Sequence, residues 1–341
     1  MSAMSDEAIV ALYSSIVSSE TMDHCDRSDG WFKRYNGDLA DPVMGQRYVS
    51  SVRNKLGDFG KNLSQKTVLD IGCGFGLTCT TIAAMGAKEV HGIDNFEPMV
   101  ETFQAYAATL PFGDRLHPAK SPADKLPYAD NSFDIVLTVE ALSHIANTEG
   151  YMIEAHRVLK PGGVLLIADD NNAANPKIVQ RNKEIWERFE NGPPTDDIYG
   201  HSVRMPYLQS RQSILREGFP ALSDEEVEKL SRNTAYMNKA EILHVAERYL
   251  DDQEMPNSYY DGERSPIQPE TGHTMEALLD PYDLKDNLNR MGFQAEVTPY
   301  LFGESRGGIT YQANRMICDL VGDSLLFRYC EGLRVTAVKN S

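Results

Sequence analysis

The stretch VLDIGCGFG, Val68 to Gly76, decides the fold of this chain. A mostly apolar run is followed by Gly72, Gly74 and Gly76, which is typical of a buried strand that ends in a glycine-rich turn. Glycine lets the chain bend sharply there and lets a ligand approach the main chain closely. The spacing is G-x-G-x-G, whereas dinucleotide-binding turns have the spacing G-x-G-x-x-G. An acid, Asp70, stands two residues before the first glycine.

Strand-like and helix-like runs alternate through the middle of the chain. Alternation of this kind predicts parallel βαβ units with right-handed crossovers and helices on both faces of the sheet. The fold class is therefore α/β. The predicted strands are TVLDI (67–71), EVHGID (89–94), FDIVLT (133–138) and VLLIA (164–168), and the predicted helices include LTCTTIAAMGA (77–87), EPMVETFQAYAATL (97–110) and MIEAHRVLK (152–160).

Two acids indicate which ligand the glycine turn serves. Asp70, near the strand tip, would repel a pyrophosphate but could pair with an ammonium group. Asp94 ends the second strand, about where dinucleotide folds place the acid that accepts hydrogen bonds from ribose hydroxyls. A ligand with a cation, a ribose and no phosphate fits both acids. S-adenosyl-L-methionine has these features.

Four motifs in this order resemble the class I S-adenosylmethionine-dependent methyltransferases, especially the small-molecule branch near the ubiquinone/menaquinone C-methyltransferases. The resemblance covers roughly residues 45 to 170. It implies a Rossmann-like seven-stranded sheet whose last strand is antiparallel. The motifs are VLDIGCGFG, VHGID, LPYADNSFDIVLTVEALSHI and HRVLKPGGVLLIA.

The resemblance also implies which residues bind the cofactor S-adenosyl-L-methionine. After methyl transfer the product of the cofactor would be S-adenosyl-L-homocysteine. Two sets of residues would line its methionine portion, and a third would hold the ribose and adenine. Cys73 lies within the turn as a small residue and not as a nucleophile. Pro122 stands where the family commonly has an adenine-binding Asp. The two sets at the methionine portion are Asp70, Gly72, Cys73 and Gly74, and Val139 and Glu140. The set at the ribose and adenine is Asp94, Asn95, Met99, Ala123 and Asp124.

Polar residues after the third and fourth recognised strands are candidates for catalysis. His144 is the natural general base, because its ordinary pKa lies near neutrality; alternatively it only packs or caps a helix. Glu140 and Asp170 could converge with it on the transferred methyl group. Glu140, Asp170 and Asn171 could instead bind Mg²⁺, since catechol-type enzymes place an Asp and an Asp-Asn pair after these strands. The other motifs are those of the metal-free branch, so we predict no metal.

The chain is too long for a minimal methyltransferase. We predict an N-terminal helical lid over residues 1–50, a cofactor-binding domain over 51–172 and 280–341, and a largely helical cap over 173–279 that selects the acceptor. A further insertion is predicted over 302–331. Candidate acceptor contacts in the cap, which could equally build its core, are Tyr199, His201, Arg204, Tyr207, Tyr259 and Tyr260.

Composition limits the classes of partner and the cellular locations that we expect for this chain. The net charge of −17 argues against a nucleic acid. The sequence contains no run of eighteen apolar residues, so we expect no membrane-spanning helix. The first twenty residues do not resemble a signal peptide. Five scattered cysteines, at 25, 73, 79, 318 and 330, suit a reducing cytoplasm. We therefore expect a cytoplasmic enzyme with a small or medium-sized organic acceptor, with a homodimer left open. Two alternatives are a catalytically silent binding module and a nicotinamide-dependent oxidoreductase.

Overall fold

The structure is a computed structural model that describes residues 3–18, 25–27, 30–300, 316–317 and 320–341. Much of the predicted 302–331 insertion, including Cys318, lies outside the described residues. The helices are α1 (Asp6–Ser18), α2 (Trp31–Asn36), α3 (Pro42–Leu56), α4 (Leu77–Ala84), α5 (Glu97–Ala107), α6 (Thr148–Val158), α7 (Pro176–Asn191), α8 (Tyr207–Gly218), α9 (Asp224–Arg232), α10 (Lys239–Asp252), α11 (Pro281–Arg290) and α12 (Asp323–Leu326). The strands are β1 (Thr67–Ile71), β2 (Glu89–Asp94), β3 (Leu116–Lys120), β4 (Phe133–Val139), β5 (Leu159–Asp169), β6 (Thr195–Ile198), β7 (His201–Val203), β8 (Phe293–Tyr300) and β9 (Gly332–Lys339).

The described chain forms two compact units. We call the first the sheet unit; it comprises the described residues within Met1–Leu142, Asn147–Asp170 and Pro281–Ser341. We call the second the insertion unit; it comprises Ser143–Ala146 and Asn171–Asp280. Among the described residues, no helix combines the length and the apolar character that a membrane crossing needs.

The sheet unit contains, in the described residues, a seven-stranded sheet with the order β3-β2-β1-β4-β5-β9-β8. β1 pairs in parallel with β2 and with β4, and β5 pairs in parallel with β4. The last strand, β9, runs antiparallel to both β5 and β8. The predicted α/β fold with a Rossmann-like sheet and an antiparallel last strand is therefore confirmed. The strand order reverses between β1 and β4, and open α/β sheets bind ligands at such a point.

Apolar burial is consistent with the inner position of β1, between β2 and β4. Val68, Leu69 and Ile71 have no exposed surface, as expected for a parallel strand covered on both faces. The helix that follows, α4, is buried along almost its whole length. It is buried on nearly every side because α1 packs in the same core, through Ile9 and Tyr13. The N-terminal helices thus share the core of the sheet unit, and α3 runs through residue 50.

The insertion unit is mainly helical and has apolar clusters of its own. One cluster joins α8, α9 and α10 through Leu215, Leu230 and Ile242, which are fully buried. Another surrounds Trp186 of α7. Local sequence fixes where these helices begin: Ser223 with Glu226 forms a capping box at the start of α9, and α10 begins in the same way.

A buried ion pair joins α7 to α8 inside the insertion unit. The Arg211 side chain has no exposed surface and that of Glu190 is 3% exposed. Arg211 Nη1 donates to Glu190 Oε2 at 3.1 Å, and Arg211 Nε donates to the Ser231 carbonyl at 2.7 Å. Removing one partner of such a pair leaves a buried charge without compensation, which is far costlier than losing an exposed pair.

We therefore expect Arg211→Met to lower the free energy of unfolding of the insertion unit by about 3–5 kcal/mol. The matched control is Arg232→Met, which removes the cation of an exposed pair with Glu228 and should cost less than about 1 kcal/mol. Urea denaturation in a Trp31→Phe background, followed by the fluorescence of Trp186, measures both. Equal losses in the two variants would show that the buried pair is not what holds α7 to α8.

Candidate functional site

The glycine turn follows β1 at the point where the strand order reverses. The amides of Gly72 and Cys73 both donate to the carbonyl of Ile93, at 2.8 and 2.9 Å, so the turn is tied to the end of β2. Gly72 has φ +76°, and a Cβ there would lie 2.5 Å from the Cβ of Ala141. Gly76 has φ +73°, and a Cβ there would lie 2.3 Å from the ring of Phe103. Only glycine fits both the conformation and the space at these two positions.

Asp70 is a carboxylate in the interior. It is 2% exposed, and the Cys79 thiol donates to its Oδ2 at 3.4 Å. Burial raises the pKa of Asp70 to about 7, and the nearby Asp94 charge adds to the effect. A buried acid with so raised a pKa gains from any cation that approaches it.

The Cys73 thiol lies in the same turn and has no activating surroundings. Its hydrogen bond with Cys79 lowers the pKa of Cys73, but burial and the Asp70 and Asp94 charges outweigh that bond and leave the pKa raised. A raised thiol pKa disfavours the reactive thiolate. These surroundings suit the predicted small, non-nucleophilic residue.

Asp94, at the end of β2, holds the turn together. Its Oδ2 accepts from the Gly74 amide at 3.0 Å, and its Oδ1 accepts from the Phe96 amide at 2.9 Å, just before α5 begins. Both oxygens keep acceptor capacity, since a carboxylate offers about four lone-pair directions. Met99 also lies near the turn, with its sulfur 3.8 Å from where a Cβ of Gly74 would be. The structural part of the role of Asp94 was not predicted from the sequence.

The predicted adenine loop meets Asp94 through its first residue. The Ser121 amide donates to the Asp94 carbonyl at 3.0 Å. Ala123 is half-buried, and Asp124 is exposed. Asp124 Oδ2 accepts from Asn147 Nδ2 at 2.8 Å, and Asn147 also caps the start of α6. Asp124 therefore has a structural partner in addition to its predicted ligand role. Asn95, beside Asp94, is half-buried.

Glu140 follows β4 in a strained conformation, with φ +49°. Its amide donates to the Ala168 carbonyl at 2.8 Å, which joins it to the end of β5. Although the residue reaches solvent, the protein around its carboxylate and the charges of Asp170 and Asp169 raise the pKa of Glu140 well above its usual range. The structure thus brings together two predicted catalytic residues, Glu140 and Asp170.

Lys55, near the end of α3, supplies the positive charge for this acidic group and was missed by sequence reasoning. Burial lowers the pKa of Lys55, while the charges of Glu140 and Asp170 act in the opposite direction. Lys55 also lines a cavity of about 280 Å³ together with Val139 and Arg334. Lys55 is 85 positions before Glu140 in the sequence, so no local pattern connects them.

His144 belongs to the insertion unit, five residues beyond the end of β4 on the chain. Its ring Nδ1 lies 3.2 Å from the carbonyl oxygen of Thr274. A carbonyl only accepts, so this contact places the proton on Nδ1 of the neutral ring and leaves the lone pair on Nε2. The tautomer is the one that a base acting through Nε2 requires.

Asn171 also lies in the insertion unit, within a polar cluster around Glu276. Asn171 Nδ2 donates to Glu276 Oε2 at 2.5 Å. Asn171 Oδ1 accepts from Asn182 Nδ2 at 2.7 Å and from Arg181 Nη2 at 3.2 Å. With two donors on Oδ1, Asn171 is poorly suited to be a metal ligand. In the part of the chain that is described, no group of three or more His, Cys, Asp or Glu is arranged to hold a metal ion.

Glu276 is the second residue that sequence reasoning missed. Its Oε1 lies 3.3 Å from His201 Nε2, and its side chain is 16% exposed. Burial alone would raise the pKa of Glu276, but the hydrogen bond from His201, the charge of His144 and the hydrogen bond from Asn171 lower it to about 2. Glu276 is therefore a carboxylate throughout the neutral range. Of the predicted acceptor contacts, Tyr207 instead packs in the core beside Trp186.

Comparison with known proteins agrees with this architecture. A family model described as a methyltransferase domain matches residues 69–167. A sterol 24-C-methyltransferase of Yarrowia lipolytica is 32% identical over 148 residues, which cover 42% of this chain and 38% of that protein. A ubiquinone biosynthesis O-methyltransferase of Maricaulis maris is 34% identical over 108 residues, which cover 31% of this chain and 41% of that protein. The chain thus spans about two fifths of the length of the curated relatives it matches.

Among solved structures, an S-adenosylmethionine-dependent methyltransferase from Mesorhizobium loti superposes with a TM-score of 0.44 at 16% identity, over 87% of this chain and 100% of that one. That likeness is too distant to bear on any residue here. The match of the family model and the two curated relatives confirm the resemblance seen in the motifs. Residues 69–167 of this chain are therefore a methyltransferase domain.

Proposed function

We propose that this protein transfers a methyl group from S-adenosyl-L-methionine to a small or medium-sized organic acceptor. The observation that carries the proposal is the pair of acids beside the glycine turn: buried Asp70 at the end of β1 and Asp94 at the end of β2. A ligand that supplies a cation to one acid and hydroxyl donors to the other matches both. Bound there, S-adenosyl-L-methionine would supply an electrophilic methyl group.

The residues of the turn fit this cofactor better than a dinucleotide. A pyrophosphate would destabilise the ionised carboxylate of Asp70 and an ammonium group would stabilise it, because a buried carboxylate interacts strongly with nearby charge. Gly72 and Gly74 would let the methionine portion lie against the main chain. Asp94 would accept from the ribose hydroxyls, with Asn95, Met99 and the loop at Ala123 and Asp124 flanking the adenine.

His144 is the proposed general base. Methyl transfer to an O–H or N–H acceptor releases one proton, and the lone pair on His144 Nε2 would take it. The strained conformation of Glu140 and its coupling to Asp170 and Lys55 support a role for this group in orienting the reactants. The occupied Asn171 oxygen favours a metal-independent reaction over the Mg²⁺ alternative.

The proposal extends to the class of acceptor and to the cellular location. One relative is named for a sterol and the other for ubiquinone biosynthesis, which supports a small organic acceptor without choosing between carbon and oxygen as the methylated atom. The insertion unit is proposed to select the acceptor. No disulfide joins the described cysteines, which suits the proposed reducing cytoplasm.

Cofactor binding gives the first prediction. We expect micromolar affinity for S-adenosyl-L-methionine, near −8 kcal/mol, and poor binding of NAD. Asp94→Asn keeps the shape of the side chain but removes its charge, so it should weaken cofactor binding by about 1–3 kcal/mol. Isothermal titration calorimetry measures both affinities. The matched control is Asp114→Asn, at an exposed acid outside the site, which should bind as the wild type does.

Two results would contradict this prediction. One is tighter binding of NAD than of S-adenosyl-L-methionine, which would favour the oxidoreductase alternative. The other is unchanged affinity in a folded Asp94→Asn protein, which would mean that the ribose lies elsewhere.

Turnover gives the second prediction. Incubation with methyl-labelled S-adenosyl-L-methionine and the small-molecule fraction of a cell extract should yield labelled product, in EDTA as well as without it. For an oxygen or nitrogen acceptor, His144→Asn should lower the rate about 10²- to 10⁴-fold and leave cofactor affinity unchanged. Binding without any transfer would favour the silent binding module. Loss of transfer in EDTA, restored by Mg²⁺, would overturn the metal-independent mechanism.

A further inference from the structure

The cavity of about 280 Å³ in the sheet unit lies between the end of α3 and one face of the sheet. Val139 of β4 pairs with Ala168 of β5, and Ala168 pairs with Arg334 of β9. Paired residues of neighbouring strands point to the same face, so these three side chains form one row along the cavity floor. A second row lines the cavity two residues away on each strand: Leu137, Leu166 and Thr336.

The first row connects the cavity with the proposed position of the cofactor. Val139 ends β4, and the resemblance implies that it lies at the methionine portion. Arg334 is two strands away from Val139, about 10 Å across the sheet at the usual spacing of strands. The cavity has roughly the volume of a small ligand pocket. A small molecule in it could therefore contact Arg334 at one end and the cofactor at the other.

The charged residues that line this cavity differ in exposure according to their sign. The two acids, Asp58 and Glu296, are exposed, and Asp58 pairs with Lys61 at 2.7 Å. The two cations, Lys55 and Arg334, are half-buried. The less exposed charges of the cavity are thus both positive, and an anion between them would be stabilised more strongly than one at the surface.

The contacts of the two cations place them at the end of α3. Arg334 Nη1 donates to the Asn54 carbonyl at 3.4 Å, and Lys55 Nζ donates to Ser51 Oγ at 2.6 Å. Burial lowers the pKa of Lys55, the Glu140 charge opposes that effect, and the Arg334 charge adds to it. The two cations therefore lie near enough to repel each other, and an anion beside them would relieve the repulsion.

A buried amide adds a hydrogen-bond donor to the same wall of the cavity. Asn54 lines the cavity, and its Nδ2 is buried. Among the described residues no hydrogen-bond acceptor reaches this nitrogen. A buried donor in such a position gains from an acceptor that a ligand supplies.

We propose that this cavity binds the carboxylate of a small organic acid and that this acid is the methyl acceptor. The inference rests on the proposed methyltransferase function. The guanidinium of Arg334 matches a carboxylate in geometry, and Asn54 Nδ2 would donate to the same group. An atom at the far end of the acid would take the methyl group as the methyl–sulfur bond breaks. Both electrons of that bond remain on sulfur, and the proton of the acceptor passes to a base.

The test is NMR of the arginine side chains in the full chain, saturated with S-adenosyl-L-homocysteine. The Nε–H signal of Arg334 is assigned from Arg334→Gln. The probes are a panel of aromatic and aliphatic carboxylic acids, each of about a dozen non-hydrogen atoms or fewer and each beside the primary amide of the same skeleton. At least one acid should shift the Arg334 signal to saturation, and its amide should bind about tenfold more weakly or less.

Two further variants test the cavity without removing Arg334. Asn54→Asp keeps the shape of the side chain but places an acid in the wall, and Thr336→Leu fills part of the space. Each should weaken binding of the acid about tenfold or more and leave the affinity for S-adenosyl-L-homocysteine unchanged. The control is Arg290→Gln, which removes an exposed cation at the end of α11 and should bind the acid as the wild type does.

Three results would overturn the inference, even in a protein that methylates another class of acceptor. One is that no acid of the panel shifts the Arg334 signal. Another is that amides or inorganic phosphate bind as tightly as the acids. The third is weaker binding of S-adenosyl-L-homocysteine by Arg334→Gln, because this cation would then hold the cofactor. Acid binding in a protein that transfers no methyl group would support the carboxylate site and reject the proposed function.

Discussion

The hydrogen bonds that Asp94 accepts from the amides of Gly74 and Phe96 are the constraint on which the candidate site depends. They join the turn after β1 to the residues that lead from β2 into α5, beside the point where the strand order reverses. The Gly72 and Cys73 amides reinforce the join by donating to Ile93. The Asp94 carboxylate thus shapes the turn, and its oxygens can still accept further hydrogen bonds. The proposed ribose contact would use an acid whose position the fold has already fixed.

Asp94 stabilises the turn, whereas the burial of Asp70 disfavours its ionised form. Its burial raises its pKa to about 7, so this acid ionises only at a cost in free energy. A residue kept in this state gains most from a cationic ligand, which compensates the buried charge. The cluster of Glu140, Asp170 and Lys55 follows the same logic, since burial shifts the pKa of Glu140 upward and that of Lys55 downward.

The fold was predictable from the sequence because its signals are local. The run of apolar residues before Gly72, the alternation of strands and helices, and the motif spacing all lie within short windows. The resemblance that these motifs carry implies the seven-stranded sheet with its antiparallel last strand, which the structure has. The contacts of Glu276 and Lys55 were not predictable, because their partners are remote: Asn171 lies 105 residues from Glu276. The structural role of Asp94, which accepts from two backbone amides, was also not predicted, since a strand-tip acid has the same sequence context whether it binds a ligand, a backbone amide or both.

The central claim, that Asp70 pairs with the cation of S-adenosyl-L-methionine, is tested most directly by proton release on binding. Calorimetric titration at pH 6, in buffers of different ionisation enthalpy, counts the protons. Because the raised pKa leaves Asp70 largely protonated at pH 6, a cationic ligand should expel its proton, and affinity should increase between pH 6 and pH 8. Asp70→Asn should release none and show no such increase. Tight binding by the wild type with no proton release and no dependence on pH would contradict the account.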